Sequence, residues 1–420
     1  MKANGRKAVR MVEVMKLAIV GGTLIDGTGK DPVRDAVVLV DGKTVKGVGR
    51  KGQLGIPNGC RVVDATGKTV TPGLIDSHLH ISSTTMSVEK RLFTHKTVEL
   101  FRTAEMMKRT LHSGITTIRD AGTLADVGLR QAVEMGLVEG PRLIVSGGIG
   151  QTGGHFDQYY PHDLSVPFHD IPICDGVPAV QEATRRLLRT GVDFIKVCTT
   201  GGVLSPADSP TYTEWTVDEL KAMVYEAKAR DKEVMAHAEG NQGIRNAILA
   251  GIWSVEHGSY LDDETIRMFL DTGTYLVPTL FIVEEVAANA DSMGLSAVAK
   301  EKIKTIKKIH SESFMRAAAA GVRIATGTDS CTDAMHGKNA RELEWMVHYG
   351  FSPMQAIVAA TKTAAEVCRV ADVTGTLEPG KMADLLVVDG DPLADVAVLQ
   401  KSELLSLVMK EGTVYVDRLS

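Results

Sequence analysis

Residues 72–80, PGLIDSHLH, are a short apolar run that ends in two histidines separated by one residue. Successive side chains of a β-strand point to opposite faces, so His78 and His80 would lie on the same face. Two neutral imidazoles that converge on one point suit a metal ion. Because one pair cannot complete a coordination sphere, we expect further ligands from distant parts of the chain.

The composition bounds the kinds of protein this chain can be. Its 420 residues suggest one large domain plus a smaller one, or two to three domains. The formal net charge is −5 and there is no long basic run, so we expect neither nucleic acid nor a membrane as a partner. The 5 cysteines form no CxxC pair and no disulfide framework, which favours a reducing, cytoplasmic location.

Both ends of the chain are rich in short strands that are broken by glycine turns. Residues 15–71 contain LAIVGGTLID and AVVLVDGKTVKGVG, and residues 375–420 contain ADLLVVDGDPL and LLSLVMKEGTVYV. We therefore predict that the two segments build one composite β-sandwich. Residues 1–14 are predicted to be an N-terminal extension.

Strand and helix patterns alternate through residues 72–374, and this alternation implies a parallel sheet. Eight strand candidates over about 250 residues match the usual size of a (β/α)₈ barrel, with a doubly wound open sheet as the competing topology. One helix start is marked by the capping-box spacing of Thr216 and Glu219. The strand candidates are Leu74–His80, Ile115–Asp120, Arg142–Ser146, Phe194–Cys198, Val234–Ala238, Ser254–His257, Tyr275–Pro278 and Arg323–Gly327.

Side chains that suit a metal site fall at or beside the ends of these strands, where the function of a barrel collects. A lone strand-end histidine is usually a hydrogen-bonded structural residue, and Asp329 in GTDS could start a turn or cap a helix. A lysine inside an apolar strand is costly to bury without a partner. The joint occurrence of all six side chains favours a metal site over coincidence. They are His78, His80, Lys196, His237, His257 and Asp329.

Several motifs together resemble the amidohydrolase superfamily: PGLIDSHLH, the buried lysine, the two later histidines, GTDS, and the closing GTLEPGKMADLLVVDGDPL. The resemblance covers nearly the whole chain after Met15. It implies a (β/α)₈ TIM barrel with a small β-sandwich formed by both termini. It also implies that His78 and His80 bind the more buried of two metal ions.

The same resemblance assigns the other ligands. His237 and His257 would bind the more exposed ion, and Lys196, carbamylated by CO₂, would bridge the two. A lysine ammonium is only a donor, whereas a carbamate offers anionic oxygens to a cation. Asp329 would bind the first ion, take a proton from the attacking water and pass it to the leaving amine. We expect zinc, although the donor set also admits Mn, Co or Ni.

The remaining candidates concern the substrate. His155 follows the third strand in GGIGQTGGHFD, so we predict that it contacts the scissile carbonyl. Tyr260, three residues after His257, would either contact substrate or pack, and His336 would line the pocket. Four histidines lie in helical patterns and are interpreted as structural, and two lie ambiguously in a loop. The first group is His95, His112, His310 and His348, and the second is His162 and His169.

GGH, IKVCTTGGVLS and HGSY resemble the branch of the superfamily that holds prolidase-like dipeptidases, of Xaa-Pro or Xaa-Arg/Lys type, and N-acyl-amino-acid hydrolases. This resemblance implies that His155 and Tyr260 contact substrate and that the N–H groups of Gly201 and Gly202 meet its carboxylate. No cation stands out as a carboxylate clamp, with Arg341 and Lys338 as weak candidates.

These arguments predict a binuclear metal-dependent amidohydrolase that acts on dipeptides or N-acyl amino acids. One alternative is a hydrolase of a cyclic amide or of a xenobiotic amide, urea or carbamate, such as an aromatic N-acyl-amino-acid toxin or a herbicide. A second alternative is a non-catalytic ligand-binding barrel. We expect a small-molecule amide as substrate and a homo-oligomer as the assembly. The segment 157–176 is long enough to serve as a lid.

Overall fold

The computed structural model describes residues 16–122, 125–158, 171–203, 208–291, 293, 295 and 297–419. The predicted extension at residues 1–14, most of the possible lid segment, and the two loop histidines His162 and His169 lie outside the described residues. None of the helices in the described part of the chain combines the length and the apolarity that a membrane-spanning helix needs.

Strands and helices follow one another through the middle of the chain as predicted. The described residues near both ends form strands, with two short 3₁₀ helices, Val396–Gln400 and Ser402–Leu404, in the C-terminal part. The strands are β1 (Lys16–Leu24), β2 (Val33–Asp41), β3 (Thr44–Arg50), β4 (Arg61–Asp64), β5 (Thr69–Pro72), β6 (Leu74–Leu79), β7 (Ile115–Asp120), β8 (Arg142–Ile149), β9 (Phe194–Cys198), β10 (Glu233–Ala238), β11 (Ser254–His257), β12 (Tyr275–Val277), β13 (Leu385–Val388), β14 (Leu405–Lys410) and β15 (Thr413–Asp417). The α-helices are α1 (Val88–Phe93), α2 (Lys96–His112), α3 (Ala125–Glu134), α4 (Val177–Thr190), α5 (Val217–Lys228), α6 (Asn241–Ala250), α7 (Asp263–Thr272), α8 (Leu280–Asn289), α9 (Ala297–Ala320), α10 (Arg341–His348), α11 (Pro353–Val358) and α12 (Ala364–Val367).

The strands from the two chain ends form one composite sheet in the order β15-β14-β13-β5-β1-β2-β3, and β4 also pairs with β1. The antiparallel pairing of β13 with β5 joins the C-terminal strands to the N-terminal ones. Leu17 and Ile19 of β1 share an apolar core with Leu385 of β13 and Leu407 of β14. The prediction that both termini combine into one β-structure is therefore confirmed, although hydrogen bonds join these strands into one mixed sheet and not into the two sheets of the predicted sandwich.

The middle of the chain forms a parallel sheet in the order β12-β11-β10-β9-β8-β7-β6. Each neighbouring pair is parallel, as the alternation of strands with helices requires. Thr216 caps α5 through the predicted capping box, because its side chain accepts the N–H of Glu219 while the Glu219 carboxylate accepts the N–H of Thr216. The prediction of a barrel is therefore confirmed, and the alternative of a doubly wound open sheet is wrong.

An irregular segment at residues 323–330 closes the barrel between β12 and β6. On one side, Leu276 donates its N–H to the carbonyl of Arg323 and accepts the N–H of Ala325. On the other side, the N–H of Ser77 reaches the carbonyl of Thr326, and the N–H of His80 reaches that of Ser330. The eighth predicted strand thus takes the expected place, but it pairs through isolated bridges.

Candidate metal centre

The six predicted metal ligands lie at the carboxyl ends of the barrel strands. His78 lies in β6 and His80 just beyond it, Lys196 lies in β9, His237 in β10 and His257 at the end of β11, and Asp329 lies in the closing segment. Parallel strands end at the same edge of the sheet, so residues that are far apart in sequence meet there.

His78 is at the centre of the cluster. Its Nε2 lies 3.6 Å from Oδ1 of Asp329 and 3.5 Å from Nζ of Lys196. The Nε2 of His80 lies 3.2 Å from the same Asp329 oxygen. One ligand atom from each of His78, His80 and Asp329 can be chosen so that all three lie within 4.8 Å of one another, as a shared metal ion requires.

The other two histidines lie directly beside this group. The ring centroids of His237 and His257 are 4.6 Å apart, and that of His257 is 5.2 Å from the ring of His78. All six predicted ligands therefore belong to one continuous cluster. Their assignment to particular ions stays a prediction.

The hydrogen bonds of the histidines suit the binding of metal ions. Nδ1 of His78 lies 2.7 Å from Glu256, Nε2 of His237 lies 3.2 Å from the carbonyl of Gly201, and Nδ1 of His257 lies 2.7 Å from the hydroxyl of Thr279. A carbonyl or carboxylate can only accept, so His78 and His237 present the lone pair of their other nitrogen. Metal-binding histidines are commonly held in this way.

A buried ion pair supports the first of these contacts. Arg119 donates to both carboxylate oxygens of Glu256, at 2.9 and 3.1 Å, and neither side chain is exposed. Burial alone raises the pKa of Glu256, but Arg119, His78 and Lys196 lower it to about 2. Glu256 is therefore an anion and a strong acceptor for the Nδ1–H of His78.

The backbone is strained at the same edge of the barrel. His257 has φ 72°, Thr279 has φ 53° and Asp329 has φ 53°, all in the left-handed region that residues other than glycine rarely adopt. Such conformations cost about 1–3 kcal/mol each and gather at functional sites. His310, predicted to be structural, places its Nε2 3.1 Å from the carbonyl of His257 and so holds that strand end from outside.

The ionisation of the central groups also fits a metal site. Burial lowers the pKa of the Lys196 ammonium, and this favours the neutral amine that carbamylation requires. Burial raises the pKa of Asp329, but His80, His78 and Lys196 outweigh it and the net shift is downward. Asp329 is accordingly a carboxylate, as a ligand must be.

His155, the predicted substrate contact, lies at the edge of the cluster. Its ring stacks on that of His237, with centroids 4.7 Å apart and an interplanar angle of 8°. Its Nδ1 lies 2.8 Å from Oδ2 of Asp208. Asp208 could not be singled out from the sequence, because a single aspartate in a loop carries no periodic pattern.

The N–H groups of Gly201 and Gly202 are used within the chain. Gly201 donates to the carbonyl of Tyr212, and Gly202 donates to Oδ2 of Asp208. The geometry of this structure does not favour the predicted contact of these groups with a substrate carboxylate. The carbonyl of Gly201, which accepts from His237, serves the metal centre instead.

The other substrate candidates have mixed surroundings. Tyr260 is partly buried against an apolar cluster that includes Phe281 and Ile282, which is the packing role left open above. His336 is 2% exposed, and burial and the nearby Arg109 lower its pKa to about 4. Arg341 makes an ion pair with Glu285 at 2.8 Å, so it is not placed as a carboxylate clamp.

Sequence reasoning missed the residues that support the site. Glu256 and Thr279 hold the ligands His78 and His257, Arg119 holds Glu256, and Asp208 holds His155. A usable signal existed for two of them. Arg119 in ITTIRD and Glu256 in SVEH are charged residues inside apolar strands, the same feature that singled out Lys196. The hydroxyl of Thr279 and the carboxylate of Asp208 gave no such signal.

Comparisons with known proteins agree with this geometry. Residues 69–415 match the model of the amidohydrolase family. An ochratoxinase from Aspergillus niger is 32% identical over 421 residues, which cover 94% of this chain and 86% of that protein. A solved Xaa-Pro dipeptidase with methionine bound in its active site has a TM-score of 0.88 and 32% identity, with 96% of this chain and 100% of that chain covered. A prolidase complexed with N-methylphosphonate-L-proline has a TM-score of 0.89 and 31% identity, with coverage of 95% and 99%.

Proposed function

Because the chain belongs to the amidohydrolase family, we propose that it hydrolyses an amide whose leaving amine is an amino acid with a free carboxylate. It is a metal-dependent hydrolase of carbon–nitrogen bonds. The proposed substrates are dipeptides, with Xaa-Pro first among them, and N-acyl amino acids. The single observation that carries the proposal is the convergence of His78, His80, Lys196 and Asp329, which are linked by nitrogen–oxygen and nitrogen–nitrogen distances of 3.2–3.6 Å.

We propose two divalent ions, with zinc as the expected metal. His78, His80 and Asp329 would hold one, His237 and His257 the other, and a carbamate on Lys196 would bridge them. Lys196 is 3% exposed and its amine is held close to His78, which supports a modification that turns a costly buried cation into an anionic ligand.

The proposed chemistry adds water across the amide. When bound, the metal ions polarise the scissile carbonyl and lower the pKa of a bound water toward neutrality. Asp329 accepts one proton of the attacking water and gives it to the departing amine, so that the products are a carboxylic acid, which loses its proton to the solvent, and a free amino acid. His155 donates a hydrogen bond to the carbonyl oxygen as negative charge develops on it.

Glu256 and Thr279 act in this scheme by fixing the rings of His78 and His257. Neither would touch the substrate. Their contribution is that the ligating nitrogens need not reorganise when a metal ion or a substrate binds.

A second candidate is the hydrolysis of ochratoxin or a related xenobiotic amide. It is favoured by the Aspergillus niger relative, which is as similar in sequence as the solved dipeptidase. Both candidates use the same metal centre and differ in the group on the acyl side of the bond.

The deciding experiment measures turnover of matched substrates by the metal-loaded enzyme, with metal content determined on the same sample. Met-Pro and N-acetyl-methionine would be compared with their C-terminal amides, and ochratoxin A and a neutral anilide would be assayed in parallel. We expect turnover only where the leaving group has a free carboxylate. Turnover of the amides and the anilide with none of the acids would contradict the proposal. Two bound metals without any turnover would favour a ligand-binding barrel.

A further inference from the structure

We propose that Asp208 is a positioning residue for His155, and that positions 201 and 202 must be glycine because this pair occupies the space a side chain would need. The inference rests on the proposed function, in which His155 contacts the scissile carbonyl. The residue that this inference adds, Asp208, lies in the loop after β9. It makes no hydrogen bond to any of the six predicted metal ligands.

Asp208 is held as a buried anion by three donors. Its Oδ2 lies 2.8 Å from Nδ1 of His155 and accepts the N–H of Gly202 at 2.8 Å, while its Oδ1 accepts the N–H of Ser209 at 2.7 Å. Its side chain is 2% exposed. Burial raises the pKa of this carboxyl, but His155 and the two N–H groups outweigh burial, and the pKa is lowered.

The main chain at Asp208 is also anchored. Nζ of Lys302, in α9, donates to the Asp208 carbonyl. The carboxylate is thus fixed at both its side chain and its backbone, so it can orient the ring of His155 without moving itself.

Gly201 and Gly202 lie so close to Asp208 and His155 that no side chain fits at either position. A methyl group added at Gly202 would lie 2.3 Å from Cε1 of His155, and one added at Gly201 would lie 1.8 Å from Oδ1 of Asp208. Both distances are far below van der Waals contact. Neither glycine has a backbone angle in the left-handed region, so conformational freedom is not the reason for them.

The arrangement determines which nitrogen of His155 can serve the substrate. A carboxylate only accepts, so Nδ1 of His155 carries a hydrogen, and Nε2 is the atom that can meet the carbonyl oxygen. Nε2 donates to that oxygen in the imidazolium form of the ring, whose charge the Asp208 carboxylate balances. The ring plane is fixed by stacking on His237 and by the edge of Gly202. Loss of the carboxylate would let the ring rotate and would remove a contact that strengthens in the transition state.

The test is a double-mutant cycle with the nearly isosteric Asp208→Asn and with His155→Asn, assayed on Met-Pro. Asp208→Asn should lower kcat by roughly 10–100-fold and change KM by less than about threefold, because a transition-state interaction is lost. In the His155→Asn background the same change should have almost no further effect, since Asp208 acts through His155. Asp208→Glu should recover part of the activity if it restores the contact.

Two readouts separate this inference from the proposed function. Bound metal should be the same in Asp208→Asn as in Asp175→Asn, a control that neutralises the carboxylate accepting from Thr152. Crystal structures of Asp208→Asn and Gly202→Ala should show the His155 ring displaced from His237. Additive effects on kcat, or a ring still stacked on His237 in both structures, would overturn the inference. If the wild-type enzyme cleaves no substrate with a free carboxylate on its leaving group, the proposed function fails, and the ring position in the two structures still decides the inference.

Discussion

Oε2 of Glu256 lies 2.7 Å from Nδ1 of His78, and both side chains are almost completely buried. Arg119 neutralises the carboxylate by donating to both of its oxygens, so the three groups form a buried chain that ends at the predicted metal ion. Breaking one member of such a chain is costly because it leaves the others unpaired. The chain is therefore a sensitive place to test how the protein prepares its ligands.

Glu256→Gln should weaken metal binding at the more buried site by roughly 10–100-fold, because the neutral amide orients His78 less firmly. The measurement is metal content by mass spectrometry after dialysis against graded chelator. Glu366→Gln is the matched control, since Glu366 pairs with Arg323 at 3.0 Å near the opposite end of the barrel. Equal metal retention in the two variants would contradict the assignment.

Thr279→Val removes the hydroxyl that holds His257 while keeping the shape of the side chain. It should lower metal affinity at the more exposed site by about 10-fold or more, whereas Thr279→Ser, which keeps a hydroxyl, should lie close to wild type. Competition with a chromophoric chelator measures both. Thr279 has φ 53°, so Thr279→Gly would relieve backbone strain while losing the contact. Wild-type affinity in Thr279→Val would show that the hydroxyl is not needed.

The barrel was predictable because the residues that suit a metal site stand at the ends of the predicted strands. The parallel strands of the barrel are apolar runs that alternate with helical patterns in the sequence. The capping-box spacing at Thr216 likewise marks the start of a helix from neighbouring residues alone. The closing segment was harder to describe, since its backbone turns to φ 53° at Asp329 and makes only isolated bridges. Its place in the barrel followed from the count of strands, but its irregular form did not.

The ligands were predictable from residue type, whereas the residues that support them were not. Ideal alternation puts Glu256 and its neighbour His257 on opposite faces of β11. Both nevertheless reach His78, because the backbone turns to φ 72° at His257, where the strand ends. Asp208 meets His155 across 53 residues of sequence, and no periodic pattern reports a contact between two loops.

Lys196→Ala should abolish turnover, and short carboxylates such as formate or acetate should restore part of it by replacing the bridging oxygens. The recovery should rise with carboxylate concentration and should coincide with recovered metal content. Lys410→Ala is the matched control, since Lys410 is also buried but donates to the carbonyl of Gly140 beside the composite sheet. Undiminished activity in Lys196→Ala would contradict the carbamate. If the same carboxylates raised the activity of Lys410→Ala to the same extent, the carboxylate effect would be unspecific.

His310 gives a prediction for pH that needs no substrate. It is 1% exposed, and burial lowers its pKa to about 4, partly opposed by its contact with the carbonyl of His257. His310 therefore binds a proton near pH 6.5 in the unfolded chain but not in the folded protein. The free energy of unfolding consequently falls as the pH drops from about 6.5 toward about 4. This one group would cost the wild type about 3 kcal/mol over that window.

Urea unfolding of wild type and His310→Gln should show the difference in stability shifting in favour of the variant as the solution is acidified. His348→Gln, at an exposed position at the end of α10, should run parallel to wild type. Parallel curves for wild type and His310→Gln would mean that His310 takes up its proton in the folded state.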